Sequence, residues 1–440
     1  MNRDIRFRSL AAAMLVVPAL ASVAWSADIP STATEAVVSA PAQADTLDLP
    51  GAVQAALASD PRIGAAQSGV AAGAARIDGA ALRPPLELTG SVENAFGSGE
   101  FSGMSAAETT IGVSKVFEMG RKRAERIGVA RSEYGALENE QEWVRLGVQA
   151  DVTEVFVQGI ALESTIAIVE RGRELATGIV TAAERRVSTG RSSEAELSQA
   201  RVAIAESQIR LLELASERRR LHRELMRLTG REPAGGLFRL IGSLETLPPL
   251  PTPAELESLL AAAPEARRAA LSQDLARARL RLAEAQRSPD LSLSAGMRSL
   301  AATDDAALVF SASIPVGAAR RARSSIAEAG AELARADALA DAAELQVAAN
   351  ARNLLDALTL ALRQLELQRT VVVPELRHAE ELLGRGYSLG RFSFLEVVTA
   401  QRQSLEASAA LIELTSQYHQ TVIELGRLLG RLPLPEGIDP

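Results

Sequence analysis

The chain of 440 residues contains no cysteine, which excludes disulfide bridges and thiolate metal sites. For the same reason we expect no lipid anchor on an N-terminal cysteine. Lysine is almost absent, since only Lys115 and Lys122 occur, and neither lies in the Gly-Lys-Ser/Thr sequence that a phosphate-binding loop requires. Aromatic residues make up only 3% of the chain, so its packing must depend on small and aliphatic side chains.

The chain also has no excess of positive charge. The formal net charge is −8 and the sequence pI is about 5.3, which argues against nucleic acid as the main partner. The three histidines, His222, His378 and His419, are scattered without the spacing of a metalloprotease site. We therefore expect no catalytic residues, no cofactor and no bound metal, and we predict that the protein is not an enzyme.

The N-terminus has the pattern of an export signal. Arginines among the first eight residues are followed by the apolar run Leu10–Ala24 and then by small residues. We predict a signal peptide over residues 1–27 and a flexible segment over 28–46. No later apolar run approaches the roughly 20 residues that a membrane-spanning helix needs.

A long internal repeat organises the rest of the chain. The decamers Glu224–Pro233 and Glu424–Pro433 agree at Glu, Leu, Arg, Leu, Gly, Arg and Pro, and each has the pattern of a helix stop. Ser188–Glu196 and Ser388–Glu396 also correspond, again 200 residues apart. The chain is therefore one unit written twice. We predict a first repeat over 47–235, a linker over 236–252, a second repeat over 253–433 and a C-terminal tail over 434–440.

Each repeat contains a predicted strand hairpin. Apolar and polar residues alternate over about 86–96 and 109–117 in the first repeat, around a Gly- and Ser-rich loop. The second repeat has the same pattern over about 290–298 and 307–316.

A very long helix is predicted after each hairpin. Val148, Val152 and Val155 begin one series with heptad spacing. The predicted long helices Arg121–Val187 and Ala318–Arg385 would each extend about 100 Å at 1.5 Å per residue. Two shorter helices of each repeat should lie end to end beside them. These shorter helices are predicted over 52–82, interrupted at Asp60-Pro61, and over 194–229, 254–287 and 394–429.

Four strands of about ten residues cannot close a barrel. Open strand edges in a membrane would leave backbone groups unsatisfied, at several kcal/mol each. Three copies of the chain would supply twelve strands, which is enough for a closed barrel. Satisfaction of the strand edges therefore predicts a homotrimer.

The segment Gly386–Val398, together with the duplicated plan of hairpin and helices, resembles the TolC-type outer-membrane efflux channels. The segments Gly97–Gly103 and Ala107–Arg123 are similar to the cobalt-zinc-cadmium, or CzcC-like, branch of that family. The resemblance implies a mainly α fold with a β-barrel part, in which a trimer forms a 12-stranded outer-membrane barrel and a periplasmic helical barrel. It implies as partners outer-membrane lipid, a periplasmic adaptor (membrane fusion protein) and an inner-membrane, proton-driven RND pump.

The resemblance also implies two functional regions at the far end of the helices. An acidic gate would lie at Glu396, with Thr399 where the family has a second acidic residue, although a lone glutamate is equally compatible with a solvated helix face. The turns between the helices would contact the adaptor, or would simply be tight turns that need Gly and Ser. The residues of this predicted contact are Thr189, Gly190, Arg191, Ser192, Ser193, Leu389, Gly390, Arg391, Phe392 and Ser393.

Two further features follow from the pattern. Pro374 interrupts the second long helix and predicts a kink that either constricts the tip or is a packing irregularity. Basic residues follow the last strand of each repeat, and long cationic side chains at this place can reach lipid headgroups. These predicted boundary residues are Arg121, Lys122, Arg123, Arg320, Arg321 and Arg323.

Divalent heavy-metal cations are the predicted cargo of this exit duct. The same fold exporting drugs, organic solutes or proteins is the first alternative. A periplasmic coiled-coil structural protein without a pore is the second.

Overall fold

The computed structural model describes residues 45–432, so the predicted signal peptide and the C-terminal tail lie outside the described residues. The first repeat begins with helices α1 (Leu49–Ser59) and α2 (Pro61–Ala81). They are separated at Asp60, whose side chain accepts a hydrogen bond from the Arg62 amide and so caps α2. The predicted interruption at Asp60-Pro61 is confirmed.

The long helix of the first repeat is α3 (Lys122–Ser188), and α4 (Glu194–Thr229) returns along it. Helix α3 has 67 residues, and both α2 and α4 pack against it, as the helix lengths predict. One stretch of α3 is long and apolar enough to cross a membrane by length and composition, contrary to expectation. This is weak evidence for a span, because a helix packed among other helices passes the same test.

The second repeat has the same order of elements, except that its long helix is divided in two. Its helices are α5 (Pro253–Ala261), α6 (Pro264–Ala285), α7 (Ala318–Leu367), α8 (Val373–Ser388) and α9 (Phe394–Leu429). The predicted continuous helix over 254–287 is wrong, because Pro264 begins a new helix after a break at Ala262 and Ala263. Between α7 and α8 the backbone forms a π turn over Gln368–Val372, immediately before Pro374.

One antiparallel sheet joins the two repeats. Its strands are β2 (Leu86–Glu93), β3 (Glu108–Phe117), β5 (Leu291–Leu300) and β6 (Asp305–Ser313), in the order β2-β3-β5-β6. The predicted strand over 86–96 ends earlier, because Asn94 and Phe96 adopt left-handed backbone conformations with φ of 54° and 59°. The second hairpin is tighter than predicted, since β5 extends to Leu300 and β6 begins at Asp305 rather than near 307.

A small parallel pair was not predicted. Strand β1 (Thr46–Asp48) pairs with β4 (Arg239–Ile241), which lies inside the predicted linker 236–252. Three-residue strands have too few residues for an alternation to be visible in sequence. The linker is therefore partly ordered by pairing with the start of the first repeat.

Three main clusters of buried residues stabilise the helical body. Val53, Val152 and Leu225 belong to the cluster of the first repeat, which includes Phe238 of the inter-repeat segment. Leu358 and Tyr418 belong to that of the second repeat. A third cluster, at the far end of the helices, combines residues of both repeats: Ile179, Ala200, Tyr387, Phe394 and Val397. The two repeats are thus packed together at their tip as well as through the sheet.

Two buried histidines fasten the segment between the repeats. The Phe238 amide donates to Nδ1 of His222 at 3.0 Å, and Nε2 of His419 lies 3.0 Å from the Leu244 carbonyl oxygen. Burial lowers the pKa of both imidazoles, and the Arg218 guanidinium lowers that of His222 further. The Glu163 carboxylate lies 4.0 Å from Nε2 of His222.

We expect the protein to lose thermal stability as the pH falls below about 6.5, the pKa of histidine in an unfolded chain. Because the folded pKa is lowered, the unfolded chain binds more protons in this range, so its free energy falls relative to the folded state. His222→Asn should reduce this dependence, since an amide oxygen can accept the Phe238 N–H without titrating. Melting temperatures between pH 5 and 8, with His378→Asn at an exposed site as control, would measure it. Equal slopes for His222→Asn and the wild type would contradict the assignment.

Candidate functional site

The two tip turns, Ser188–Ser193 and Ser388–Ser393, have the same backbone structure. Gly190 and Gly390 are left-handed, with φ of 71° and 76°. The Arg191 amide donates to the Arg186 carbonyl at 2.8 Å, and the Arg391 amide donates to the Gly386 carbonyl at 2.8 Å. This is the Schellman arrangement that ends a helix, and it requires glycine at its left-handed position. The correspondence of the two tips in sequence is therefore a correspondence in structure.

The predicted gate residue Glu396 takes part in a helix cap. Its carboxylate accepts hydrogen bonds from the N–H and the hydroxyl of Ser393, each at 2.7 Å, while the Glu396 amide donates back to Ser393 Oγ. These hydrogen bonds lower the pKa of the exposed Glu396, so the side chain is charged at neutral pH. Thr399, one turn further along α9, is half-buried. The cap accounts for Glu396 locally, and the gate stays a prediction.

Glu196 occupies the corresponding position in the first repeat. Its amide donates to Ser193 Oγ at 3.3 Å, and its carboxylate accepts a hydrogen bond from the Ser192 hydroxyl. The two glutamates thus occupy the same helix position, but only Glu396 accepts a hydrogen bond from the backbone N–H of its N-cap serine. Glu196 and Glu396 lie in different repeats, so substituting each of them separately can show whether Glu396 acts as a gate or only as part of a helix cap.

Tyr387 is the residue of the tip that sequence reasoning missed. It is 2% exposed, and the Arg186 guanidinium lies 4.5 Å from the centre of its ring. Arg186 also donates to the Tyr387 carbonyl at 3.0 Å, and the ring of Phe394 lies 6.4 Å from that of Tyr387. Burial raises the pKa of the Tyr387 hydroxyl. Tyr387 lies inside the segment that carries the resemblance, but only the fold reveals its partner, 201 residues away.

The π turn before Pro374 borders a cavity of about 780 Å³. The inter-repeat residues Gly242–Glu245 line one side, and Arg369 of the π turn donates to the Glu245 carbonyl at 3.5 Å. A π turn is one of the recognised causes of an irregular helix. The structure thus places a helix irregularity where Pro374 predicts one. Constriction of the tip by a kink stays a prediction.

The predicted boundary arginines and lysine lie where the sheet meets the helices, and several have partners inside the chain. Lys122 forms an ion pair with Asp290 at 2.7 Å, and Arg123 donates to the Ala81 carbonyl at the end of α2. Arg321 donates to the Val316 carbonyl at 3.2 Å. Arg121, Arg320 and Arg323 are exposed. Lys122 and Arg123 therefore brace the junction, and contact with lipid headgroups stays a prediction for the set.

The sheet has two chemically different faces. Residues opposite one another in an antiparallel pair lie on the same face, so the register assigns each side chain. One face, here called the apolar face, carries large exposed side chains: Leu86, Leu88, Val92, Ile111, Val113, Leu293, Met297, Leu308 and Phe310. The other, the polar face, carries Glu87, Thr89, Ser91, Glu93, Glu108, Thr110, Ser114, Ser292, Ser294, Arg298, Asp305, Ser311 and Ser313.

The apolar face of the sheet is uncovered in the single chain. Met297 is 60% exposed and Phe310 is 75% exposed on the apolar face, although they lie in regular strands. An exposed apolar face of this extent needs a lipid or protein partner. Strands β2 and β6 are both edge strands of the described sheet, so each also has unpaired backbone groups. The sheet is built to be covered on one face and extended at both edges.

No group of three or more histidine, aspartate or glutamate side chains within residues 45–432 is arranged to hold a metal ion. His222 and His419 are used to hold the inter-repeat segment.

Comparisons with known proteins agree with this geometry. The family model described as "Outer membrane efflux protein" matches residues 52–231 and 256–431. The cobalt-zinc-cadmium resistance protein CzcC of Cupriavidus metallidurans is 25% identical over 334 residues, which are 74% of this chain and 78% of CzcC.

Two solved structures share the fold. CusC superposes with a TM-score of 0.75 at 19% identity, covering 90% of this chain and 96% of CusC. The outer membrane protein VceC of Vibrio cholerae gives a TM-score of 0.70 at 18% identity, covering 87% of this chain and 96% of VceC. The predicted mainly helical fold with a small sheet is confirmed.

Proposed function

Because the chain belongs to the outer membrane efflux protein family, as its resemblance predicted, we propose that it is the exit duct of a tripartite efflux system. It is a protein of the outer membrane that extends into the periplasm. In this proposal three copies form the duct, an RND pump in the inner membrane drives export, and a periplasmic adaptor connects the two. The cargo is divalent heavy-metal cations.

The two-faced sheet carries the proposal of a duct. An apolar face suits lipid, a polar face suits a water-filled lumen, and alternation between them along each strand is the pattern of outer-membrane barrels. Pairing β6 of one copy with β2 of the next would satisfy the free edges. Three copies of a four-stranded sheet then give a closed barrel of twelve strands.

The cargo is supported by the similarity to CzcC, a cobalt-zinc-cadmium resistance protein. A duct needs no tight metal site, because conduction requires binding that is weak enough for release. The polar face has four carboxylates among its strand residues, which would favour cations over anions.

Deletion of the gene tests the cargo. We expect lower tolerance to zinc, cadmium and cobalt, restored by the wild-type gene on a plasmid, with unchanged tolerance to drugs. If the deletion strain were sensitive to drugs and not to metals, the proposed cargo would be drugs instead of metal cations. Purified protein that stays monomeric in detergent and does not conduct in lipid bilayers would overturn the duct itself.

Truncation of Arg191 and Arg391 to alanine tests the adaptor contact. Both side chains are exposed at the tip turns, and the hydrogen bonds of Arg191 and Arg391 within the turns are made by their backbone atoms. We expect the double variant to lose metal tolerance while it still forms trimers, because an exposed arginine that binds no partner contributes little to stability. Arg402→Ala, exposed on α9 away from the turn, is the control. Full tolerance in the double variant would remove the contact from the proposal.

Glu396→Gln and Glu196→Gln separate a gate from a cap. Each substitution weakens local hydrogen bonding at the start of its helix, to Ser393 for Glu396 and to Ser192 for Glu196, at a cost of about 1 kcal/mol. A gate at Glu396 predicts that only Glu396→Gln lowers cation selectivity, because three carboxylates would be lost from one ring near the axis. Reversal potentials in planar bilayers under a KCl gradient give the comparison. Identical potentials for the two variants would leave Glu396 as a cap alone.

A further inference from the structure

Arg298 is held by a set of hydrogen bonds and ion pairs that spans three strands. On β5 its Nη1 lies 2.7 Å from Glu108 of β3, and its Nη2 lies 3.1 Å from Glu93 of β2. Its Nε donates to the Thr110 hydroxyl at 3.0 Å. The side chain is 30% exposed, so it is more enclosed than a typical surface arginine. Charge-assisted bonds of this kind fix the guanidinium in place.

Arg298 is the sole cation on the polar face among the described strand residues. The register places Glu87, Glu93, Glu108 and Asp305 on the same face. Lys115, the other basic residue in the strands of this four-stranded sheet, lies on the apolar face opposite Leu86 and Leu293.

Glu93 and Glu108 are directly opposite one another across β2 and β3, at the end of the sheet away from the helices. Two like charges at such a position repel each other unless a cation lies between them. Paired carboxylates are also ligands that divalent cations accept readily. Arg298 occupies the position between them. A mobile metal ion therefore finds both carboxylates already paired.

We propose that Arg298 is a specificity-determining residue of the duct, which keeps the outer end of the lumen cation-conducting without letting it retain divalent cations. This inference rests on the proposed function, since the polar face must line the lumen. Release at the exit requires weak binding, and a fixed internal cation lowers the affinity of Glu93 and Glu108 for a passing metal ion. Arg298 also limits the cation selectivity that four carboxylates per copy would otherwise give.

Arg298→Gln should therefore change two properties of reconstituted channels. The ratio of potassium to chloride permeability should rise roughly twofold or more, because three positive charges leave one ring of the lumen. Zinc or cadmium added to the outer side should block the conductance at concentrations about tenfold lower than for the wild type, a change equivalent to 1.4 kcal/mol of binding. Lys115→Gln removes the same charge from the lipid-facing side and should change neither property.

Further variants keep the test decisive. Arg298→Lys retains the positive charge and should keep the wild-type permeability ratio. The double variant Arg298→Gln with Glu93→Gln restores the net charge of the wild type, so its permeability ratio should return toward the wild-type value. If Arg298→Gln does not assemble, Glu93→Gln alone should lower the ratio. Assembled Arg298→Gln channels with wild-type selectivity and wild-type zinc block would overturn the inference while leaving the duct intact. Wild-type protein that does not conduct would overturn the proposed function and this inference with it.

Discussion

Met297→Arg is expected to abolish assembly in the outer membrane, whereas Ser294→Arg on the same strand is expected to be tolerated. Met297 lies on the apolar face between Ile111 and Leu308, and it is 60% exposed in the single chain. An arginine on the lipid-facing side near the middle of an outer-membrane barrel costs about 2–4 kcal/mol. In a trimer that cost applies three times. For each chain it is a large fraction of the roughly 5–15 kcal/mol by which a native protein is stable.

Ser294 is the matched control because it lies on the polar face, opposite Ser114 and Ser311. An arginine there would extend into water. Membrane fractionation and the yield of SDS-resistant trimer measure both variants. If Met297→Arg were to assemble as well as Ser294→Arg, the apolar face could not be in contact with lipid, and the barrel would have to be abandoned.

Gly386→Ala is expected to open the second tip turn, although glycine to alanine normally stabilises a helix by about 1 kcal/mol. A methyl group at Gly386 would lie 2.2 Å from the ring of Phe392. The Phe392 ring, which packs against Gly386 of α8, must therefore move away. This removes an apolar contact between the turn and the helix. Because Phe392 is 38% exposed, its ring can move into solvent, and the cost is the lost apolar contact of about 1 kcal/mol. Hydrogen exchange over 386–394 should accelerate by about tenfold for each 1.4 kcal/mol.

Gly384 provides the control two residues earlier in the same helix. No atom lies within 4 Å of the position that its methyl group would take, so Gly384→Ala should slow exchange or leave it unchanged. Because Phe392 belongs to the predicted adaptor contact, we also expect Gly386→Ala, and not Gly384→Ala, to reduce metal tolerance. Equal exchange rates in the two variants would show that Phe392 does not constrain the turn.

Local signals made most of the fold predictable. Helix ends at Gly230 and Gly430, and starts after Ser193 and Ser393, are determined by caps whose chemistry is visible in a few neighbouring residues. The break before Pro264 has a comparable local signal, because proline is favoured at the first position of a helix. Strand ends were less predictable, because nothing in the alternation shows that Asn94 leaves the sheet.

The candidate site was predictable only in part, since its contacts join distant segments. The tip turns could be located because Gly190 and Gly390 are 200 residues apart, the same spacing as the other landmarks of the internal repeat. The packing of Arg186 on Tyr387 and the pairing of Arg298 with Glu93 depend on how the repeats meet and on the register of β2, β3 and β5. Neither can be deduced from residue spacing within one element.

The π turn between α7 and α8 determines which side chains of the second long helix face the same way. Buried side chains recur every seven residues on both sides of it, at Ala351, Leu358 and Leu365 before the turn and at Val373, Glu380 and Tyr387 after it. From Leu365 to Val373 the interval is eight. In a regular α-helix this extra residue would rotate Val373, Glu380 and Tyr387 by about 100° away from that buried edge, and the π turn absorbs it. The π turn thus keeps the buried residues of α7 and α8 in register, so that one continuous buried seam extends from the start of α7 to the tip.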